Sequence, residues 1–356
     1  MTVVLYRPNL DARSGAGQLL TMQWRGLTAA GVPTLLACDH GALKFWLRTG
    51  ARARKRSTAE IERLQAQGAV VVDHGLSIPS AELVFVHNVV AEAARHLREP
   101  VAAAVLERER QFFRALRASA VVVANSKVAA DALHEHFGLE REHVAVLYPA
   151  FDSRRFSPQR AAQLRVAARR SLGVDDGAPL VGFVTSGDFA KRGLDLFLDC
   201  AARIAAARPD ARFLVVGSKR LPDEAGAHAL VRSGLVRYRP KSARPELWFA
   251  ALDLFLYPAR FEEFGMVLAE AQAMGVAVLT SRRVGAAECL PAVYAPWLLD
   301  RPEPAVMAER AVALLGDAEQ RARLTRAAAE TVMGFDERAY VEGTRRLLAA
   351  QNPRLR

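Results

Sequence analysis

Two glutamates in the second half of the chain have the residue type and spacing that most clearly suggest chemistry. Glu262 and Glu270 are separated by seven residues and flank a Phe264-Gly265 turn, which leads from an apolar segment into a helical pattern. The first N–H groups of a helix lack intrahelical partners and carry partial positive charge, so a strand, a glycine turn and a helix start form an anion site. We therefore expect the two carboxylates to hold one ligand from two sides, with a phosphate facing the helix start.

Ordinary acids on a helix surface are the alternative interpretation of Glu262 and Glu270. The surrounding segment has the composition of a protein core, with Leu268 and Ala273 close to Glu270 in sequence. A carboxylate is costly to bury unless a polar group meets it. This cost favours a ligand-binding role for the pair.

Two adjacent cations follow another predicted strand, at residues 180–185. Lys191 and Arg192 lie at the predicted start of a helix over residues 191–207, where the helix dipole disfavours positive charge. A diphosphate would explain them, because Arg192 can bind it bidentately while Lys191 acts as a point charge. A solvated helix start is the alternative, and Asp188 is expected to cap the helix.

Two features of the first half of the chain also follow predicted strands. Gly15, Ala16 and Gly17 belong to a loop before a helix predicted over residues 18–30, and the glycines would let the backbone approach a ligand closely. A plain glycine loop is the alternative. His87 ends a strand predicted over residues 83–86, and it either hydrogen-bonds a substrate hydroxyl or is a satisfied structural histidine.

Short β-branched runs alternate with longer helical patterns along most of the chain. This alternation is typical of α/β proteins with doubly wound parallel sheets covered by helices. The 356 residues suffice for two such domains, predicted at 1–155 and 156–336, and a last helix at about 337–356 is expected to pack back on the first domain. Ligands bind at the carboxyl ends of parallel strands, so we expect the candidate residues to face a cleft between the domains.

The composition indicates a soluble, cytoplasmic protein. No apolar run reaches the roughly 18 residues that a membrane span requires, and the N-terminal apolar segment is too short for a signal peptide. Cys38, Cys200 and Cys289 are isolated in sequence and without CxxC spacing. Neither a disulfide framework nor a zinc site is expected, and the cysteines are predicted to be small buried residues.

The formal net charge of +11 requires an explanation. The densest basic stretch, residues 44–56, includes Phe45 and Trp46, and residues 101–117 form an Arg-rich amphipathic pattern. A compositional bias toward arginine and a solvated loop are two explanations, and contact with an anionic membrane surface or an acidic acceptor is a third. The sequence has no helix-turn-helix, RNA-binding strand or zinc-finger pattern, so no nucleic-acid partner is expected.

The segment around the two glutamates resembles a known family. The arrangement Pro258…Glu262-Glu263-Phe264-Gly265…Glu270-Ala271…Gly275…Val278 is similar to the E-x7-E pattern of retaining GT-B glycosyltransferases, above all glycosyltransferase family 4. Within that family, the chain is most similar to lipopolysaccharide-core glucosyltransferases, whose phosphate loop resembles Ser186 to Gly193. Four features differ from the common pattern. Gly187 stands where many members carry Arg, Lys191-Arg192 reverses the usual order, Glu263 replaces a frequent Gly, and Pro149-Ala150 replaces the usual Asn-Gly before Asp152.

The resemblance implies a GT-B fold and a role for each candidate residue. Glu270 would bind the ribose hydroxyls, Glu262 the transferred sugar, and His87 the donor sugar. Lys191 and Arg192 would neutralise the diphosphate, and the loop at residues 15–17 would close on donor or acceptor. The expected donor-binding set is completed by the backbone of Phe264, Gly265, Met266 and Val267.

The resemblance also implies a reaction. A hexose would move, with retention, from a nucleotide-diphosphate sugar, expected to be a UDP-sugar, to a cell-envelope saccharide or glycolipid acceptor such as lipopolysaccharide core. No cofactor or metal is expected, because the sequence has no D-x-D motif and Lys191 and Arg192 would take the metal's place. Two alternatives stay open: a sugar-nucleotide epimerase of the GT-B fold, and a non-catalytic basic protein that binds a membrane surface.

Overall fold

The computed structural model of the protein describes residues 2–12 and 14–352, apart from the side chain of Met333. It divides into two compact units. The first unit contains the residues up to Arg95, Glu99–Ala150 and the residues from Glu337 onward, and the second contains His96–Arg98 and Phe151–Asp336. The main division thus falls at Ala150, whereas the sequence places it at 155.

The described strands of the first unit form one seven-stranded parallel sheet with the order β3-β2-β1-β4-β5-β6-β7. Most of them are continuous Val- and Leu-rich runs, as expected of strands buried on both faces. The strands are β1 (Val3–Tyr6), β2 (Thr34–Cys38), β3 (Ala53–Lys55), β4 (Val70–Asp73), β5 (Leu83–Val86), β6 (Val121–Ala124) and β7 (Val144–Val146). The helices along this part of the chain are α1 (Gly15–Ala29), α2 (Ala42–Thr49), α3 (Thr58–Ala66), α4 (Val90–His96), α5 (Ala103–Ala115) and α6 (Lys127–Phe137).

The described strands of the second unit form a five-stranded parallel sheet with the order β10-β9-β8-β11-β12. They are β8 (Leu180–Val184), β9 (Arg212–Gly217), β10 (Val236–Pro240), β11 (Leu254–Leu256) and β12 (Ala277–Leu279). The helices are α7 (Pro158–Leu172), α8 (Phe189–Arg192), α9 (Leu194–Ala207), α10 (Asp223–Gly226), α11 (Ala229–Arg232), α12 (Pro245–Ala251), α13 (Met266–Ala273), α14 (Pro304–Gly316) and α15 (Ala318–Val332). The predicted α/β class with two parallel sheets is confirmed.

A last helix, α16 (Glu337–Gln351), packs on α1 within the first unit. The buried amide of Gln23 lies 3.2 Å from the Tyr340 hydroxyl and 3.3 Å from that of Thr344. A Cβ on Gly26 would lie 2.4 Å from Val341 Cγ1, so the two helices approach at a glycine. The chain therefore leaves the first unit at Ala150 and returns to it at Glu337. The predicted helix extended to 356, and residues 353–356 lie outside the described part of the chain.

Two segments of the first unit differ from their predicted structure. Residues 44–56, interpreted as a basic loop, contain α2 and β3. The loop predicted at residues 15–17 is instead the first turn of α1, because Ser14 caps this helix and accepts a hydrogen bond from the Gly17 N–H at 3.1 Å. A Cβ on Gly17 would lie 2.0 Å from the Asp11 carbonyl oxygen, so this glycine permits a close contact within the protein. Arg13, which begins the predicted loop, lies outside the described residues.

Three further expectations concern the whole chain. Cys38, Cys200 and Cys289 are free and buried, as predicted. Within the described ranges, no helix has the length and apolar character needed to cross a membrane. The same ranges contain no cluster of three or more His, Cys, Asp or Glu side chains with the geometry of a metal site.

Candidate functional site

A strand, a glycine turn and a helix meet at the centre of the second unit, as the sequence predicts. The buried strand β11 runs into the loop 257–265, and α13 begins at Met266. Gly265 has φ +88°, a conformation that costs little only for glycine. A Cβ at this position would lie 3.0 Å from Val284 Cγ1 and 3.1 Å from Glu262 Cγ. Gly265 thus lets the turn close against Glu262. Met266 and Val267 form the partly exposed first turn of α13.

Glu262 is buried in this turn and is held by Arg192. The Arg192 Nε lies 2.6 Å from Glu262 Oε2, and its Nη2 lies 3.0 Å from Oε1. The Tyr257 hydroxyl donates to Oε2 at 3.1 Å. Burial alone would lower the pKa of Arg192, but the charge of Glu262 outweighs it and the pKa rises above its ordinary value. The guanidinium therefore stays charged, and the carboxylate is fixed in position.

Lys191 and Glu263 form a second buried ion pair. The Lys191 Nζ lies 2.6 and 2.8 Å from the two carboxylate oxygens of Glu263. The ammonium also lies 5.6 Å from the centre of the Phe261 ring. The two predicted cations are therefore each matched by one of two adjacent glutamates, and the four side chains carry no net charge together.

The helix start predicted at Lys191 is wrong. Lys191 and Arg192 lie instead in the last turn of the short helix α8, because Gly193 adopts φ +74° and separates α8 from α9. The last turn of a helix favours cations, so the dipole does not by itself demand an anionic ligand. Asp188 caps α8, as predicted, by accepting from the Ala190 N–H at 2.7 Å.

Three of the four differences from the family pattern are related to one another in the structure. Lys191 pairs with Glu263, so two residues that both differ from the family pattern form one ion pair. A Cβ on Gly187 would lie 2.8 Å from the Arg192 Cζ, so glycine makes room for the guanidinium. An arginine at position 187 would not fit beside Arg192 in this conformation.

A second set of contacts fastens the loop 257–265 to the segment around α8, and sequence reasoning missed it. Arg260 contacts Asp195 at 2.7 and 2.6 Å and donates to the Ala190 carbonyl at 2.8 Å. Its backbone N–H donates to the Lys191 carbonyl at 3.0 Å. Burial raises the pKa of Asp195, but the hydrogen bonds and charge of Arg260 prevail and lower it. These contacts keep the two cations and two glutamates in register.

Glu270 differs from the other acids because it has no partner. It is only 7% exposed, and no hydrogen bond or ion pair reaches its carboxylate from the residues that the structure describes. Burial raises its pKa to about 7, Arg155 opposes this rise, and Glu246 adds to it. Glu270 is therefore not a surface acid. A buried carboxylate without a partner is costly, which points to a ligand that completes it.

Phe264 occupies the core and not the surface of the turn. Its side chain is 3% exposed, and its carbonyl accepts from the Ala286 N–H at 2.7 Å. Ala286 belongs to a 3-10 turn, Gly285–Cys289, which follows β12. The Phe264 side chain thus packs in the core, and its predicted donor contact through the backbone stays a prediction.

His87 lies in the first unit, directly after β5, and contacts a second histidine. Its Nε2 lies 3.0 Å from the Nδ1 of His74, and the two rings stack. Burial lowers the pKa of His87 to about 3, helped by the charge of Arg7, so the ring is neutral. The Nε2 of His74 is buried without a partner among the described groups. Because a buried N–H is seldom left unpaired, His74 carries its proton on Nδ1 and donates to His87, whose own proton is then on Nδ1.

The two parallel sheets, each with its helices, define a GT-B glycosyltransferase fold. Solved structures support this assignment. WaaG, a glycosyltransferase involved in lipopolysaccharide biosynthesis, aligns with a TM-score of 0.75 at 19% identity over 96% of this chain and 98% of its own. Alr3699/HepE from Anabaena, in complex with UDP and glucose, aligns with a TM-score of 0.78 at 18% identity over 98% of this chain and 100% of its own.

Sequence comparisons match the second half of the chain to a family model and longer stretches to curated relatives. Residues 178–317 match the family described as Glycosyl transferases group 1, and the predicted resemblance is thereby confirmed for the segment that carries the site. The chain is 31% identical over 221 residues to D-inositol 3-phosphate glycosyltransferase of Streptomyces avermitilis, covering 58% of this chain and 47% of the relative. The corresponding protein of Xylanimonas cellulosilytica is 30% identical over 248 residues, covering 64% and 58%. The matched region spans about half the length of these curated relatives.

Proposed function

We propose that the protein transfers a hexose from a nucleotide-diphosphate sugar, a UDP-sugar in the first instance, to a cell-envelope saccharide such as lipopolysaccharide core. The transfer would proceed with retention and without a metal ion. The observation that carries this proposal is the buried carboxylate of Glu270, which has no hydrogen-bond or ion-pair partner among the described residues and lies in α13, the helix that begins directly after Gly265. Such a carboxylate fits paired hydroxyl donors, as on a ribose.

The two ion pairs suggest how the site responds to a diphosphate. In the unliganded protein, Arg192 and Lys191 are neutralised by Glu262 and Glu263. A bound diphosphate would compete for these cations, and the first turn of α13 would add N–H donors at Met266 and Val267. Glu262 would then be released in part to accept a hydroxyl of the transferred sugar. Diphosphate binding would thus replace Glu262 as the partner of Arg192 and, in the same step, free Glu262 to contact the sugar.

The same groups favour bond cleavage. Negative charge grows on the diphosphate as the bond from the anomeric carbon to the phosphate oxygen breaks, and fixed cations stabilise most where charge develops. The acceptor hydroxyl would form its bond to the anomeric carbon on the face that the diphosphate leaves, and its proton would pass to the departing phosphate oxygen. No side-chain nucleophile is required in this scheme.

Similar proteins support the proposed UDP-sugar donor more directly than the proposed saccharide acceptor. The Anabaena neighbour was solved with UDP and glucose, which supports a UDP-sugar donor. WaaG is involved in lipopolysaccharide biosynthesis, whereas the curated relatives act on D-inositol 3-phosphate. An envelope acceptor would place this protein in the cytoplasm, at the inner face of the cytoplasmic membrane.

A panel of nucleotides and acceptors tests the proposal. Thermal melts with UDP-, GDP- and ADP-sugars come first, since a ligand at 100 times its dissociation constant stabilises the folded state by roughly 2.7 kcal/mol. Product NMR with the stabilising donor, with and without EDTA, then gives the anomeric configuration of the transferred sugar. An α product from an α donor, unaffected by EDTA, supports the proposal. An isomerised donor formed without acceptor would instead identify an epimerase, and no stabilisation by any nucleotide would identify a non-catalytic protein.

A further inference from the structure

The helix α2 exposes an unusual amount of apolar surface in the first unit. Leu43 is 67% exposed, Leu47 69% and Trp46 39%, and these are three of the six large hydrophobic residues that the described surface exposes. Phe45 is the one buried residue of α2. The helix is nevertheless held in place, because Arg25 donates to the Thr49 carbonyl at 2.7 Å.

The apolar residues of α2 form two opposite faces. Successive helical residues are about 100° apart, so Leu43, Trp46 and Leu47 share one side while Phe45 points to the other. Phe45 anchors the inward face to the core. The outward face stays largely exposed in the described part of the protein. An interfacial helix shows this arrangement of an apolar face with charged flanks.

The charged side chains in the stretch that contains α2 all have one sign. Residues 40–59 include no Asp or Glu. Five bases of this stretch have no acidic partner among the residues that the structure describes, and Arg52 lies over the Trp46 ring at 5.9 Å. The five are Lys44, Arg48, Arg52, Arg54 and Lys55. We call these five bases, together with Leu43, Trp46 and Leu47, the α2 surface.

A cavity of about 380 Å³ adjoins the α2 surface. It is lined by residues of α1 and β2, among them Trp24 and Leu35, together with Arg52 and Arg54. Two guanidinium groups beside apolar walls match a phosphate group that is attached to hydrocarbon. The same two arginines thus belong to the cavity and to the α2 surface.

We infer that the α2 surface docks on a bilayer that contains anionic phospholipid, with a lipid phosphate taken up by Arg52 and Arg54. The outward leucines and Trp46 would enter the headgroup region, and the flanking bases would meet negative charge. A second copy of the chain is a poorer occupant, because a two-fold contact would bring bases against bases. A soluble acidic saccharide would leave the exposed leucines unexplained. The choice of a membrane partner rests on the proposed envelope acceptor.

The other basic segment of the first unit, residues 101–117, exposes only one large hydrophobic side chain, Val105, among the described residues. In α5, Phe112 and Phe113 are buried. Arg110 and Arg114 both lie near Glu107, at 3.1 and 3.9 Å. The structure therefore favours α2 over the segment 101–117, although the sequence marks both as basic.

Vesicle flotation with the full chain tests the inference. The probes are phosphatidylcholine vesicles with and without phosphatidylglycerol. We expect binding only to the anionic vesicles, together with a blue shift of tryptophan emission that Trp46→Phe abolishes. Leu43→Gln with Leu47→Gln should weaken binding at least about tenfold, and so should Arg52→Gln with Arg54→Gln.

Matched variants in the second unit serve as controls. Val166→Gln removes a hydrophobic side chain that is 56% exposed, and Arg323→Gln with Arg326→Gln removes two exposed charges from α15. Both controls should bind vesicles with an affinity within about twofold of the wild type. This difference is well below the tenfold loss, equivalent to about 1.4 kcal/mol, that is expected of the α2 variants. Equal flotation with neutral and anionic vesicles, or wild-type binding by both α2 variants, would overturn the inference. A third contrary result would be a wild-type dimer in sedimentation that becomes monomeric in Leu43→Gln with Leu47→Gln, together with no binding to vesicles.

The same samples separate this inference from the proposed function. UDP affinity, measured by calorimetry without vesicles, should be equal in the wild type and the α2 variants. Loss of vesicle binding with unchanged UDP affinity supports the α2 surface independently of transfer. Absence of UDP binding in every sample would refute the proposed donor site but leave the flotation result intact.

Discussion

Arg192 grips Glu262 through two contacts at once, 2.6 Å from Nε to Oε2 and 3.0 Å from Nη2 to Oε1. The Nη2 contact has hydrogen-bond geometry, whereas the Nε contact is an ion-pair contact only. The arrangement also makes Glu262 a competitor of any phosphate that approaches Arg192. The first prediction follows from this competition.

Replacing Glu262 should separate binding from turnover. In Glu262→Gln the side chain keeps its size but loses its charge, so Arg192 is freed for a diphosphate. We expect UDP to bind as tightly as in the wild type or more tightly, while transfer falls by at least about 100-fold because the sugar loses a charged hydrogen-bond acceptor. Calorimetry and a turnover assay measure the two quantities. Weaker UDP binding together with retained turnover would contradict the exchange of partners.

Lys191 can be tested together with the glutamate that it pairs with. Lys191→Met alone removes the cation beside the buried carboxylate of Glu263, which is 1% exposed, and should cost about 3–5 kcal/mol of stability. Adding Glu263→Met also removes the buried negative charge, so the double variant should regain most of that stability in urea unfolding. If Lys191 contacts the diphosphate, the double variant should still bind UDP at least about tenfold more weakly, since a charged hydrogen bond contributes roughly 1.5–3 kcal/mol. Wild-type UDP affinity in this variant would assign Lys191 a purely structural role.

Glu270 should make the unliganded protein less stable at alkaline pH. The pKa of Glu270 rises from 4.5 to about 7 on folding. Between pH 4.5 and 7, the carboxyl group is therefore protonated in the folded state and ionised in the unfolded state. The free energy of unfolding therefore falls as pH increases through this window. Glu270→Gln should be more stable than the wild type by up to about 3 kcal/mol at pH 8, and by less than about 1 kcal/mol at pH 5. Urea unfolding at the two pH values measures this difference.

The same variant should lose nucleotide affinity. A UDP-sugar that donates ribose hydroxyls to the Glu270 carboxylate favours its ionised form, so wild-type affinity should decline as pH falls below 7. Calorimetry of Glu270→Gln should show weaker binding without this decline. A variant that is both more stable and equally able to bind UDP would remove Glu270 from the site.

Two glycines allow the turn at Gly265 to be tested against a matched control. Gly265 and Gly275 both have positive φ, +88° and +72°, so alanine costs about 1–2 kcal/mol of backbone strain at either position. A Cβ on Gly275 would meet nothing within 4 Å, whereas one on Gly265 would press on Glu262 and Val284. We expect Gly265→Ala alone to reduce UDP-sugar affinity and turnover. Equal losses in both variants would show that strain, and not the contact with Glu262, governs the site.

His74 is expected to act through His87. In His74→Phe the Nε2 of His87 loses its donor, so the ring is no longer held with its proton on Nδ1. Nitrogen NMR should show a mixture of tautomers, and turnover should fall by roughly tenfold, the scale of one lost hydrogen bond, with UDP affinity unchanged. Because the pKa of His87 is about 3, the wild-type rate should show no inflection from this residue between pH 5 and 8. An inflection near 6.5 that His87→Ala abolishes would contradict the assignment.

The sequence predicts the strands, the glycine turn and the two acids well because each depends on a local pattern. Buried parallel strands appear as β-branched runs, and Gly265 stands where a left-handed residue must link β11 to α13. The helix start was misplaced at Lys191 because Gly193 interrupts a pattern that otherwise continues to Ala207.

Long-range partners could not be predicted in this way. Arg260 and Asp195 lie 65 positions apart, and neither has a distinctive neighbourhood in sequence. The pairing of His74 with His87 requires that β4 and β5 be adjacent, which the order of elements suggests but does not fix. The two-faced character of α2 was hidden because its eight residues resemble a basic loop in composition.

Gly193 has a consequence for anyone who wishes to transplant this site. A Cβ there would lie 2.2 Å from the Pro258 carbonyl oxygen, so the segment 187–193 and the loop 257–265 are in direct backbone contact. Neither segment can be exchanged for that of a relative on its own, since the incoming backbone would have to match its counterpart within a fraction of an ångström. A chimera should therefore inherit both segments from one parent, and a donor specificity borrowed through either segment alone is expected to arrive with a misaligned Arg192.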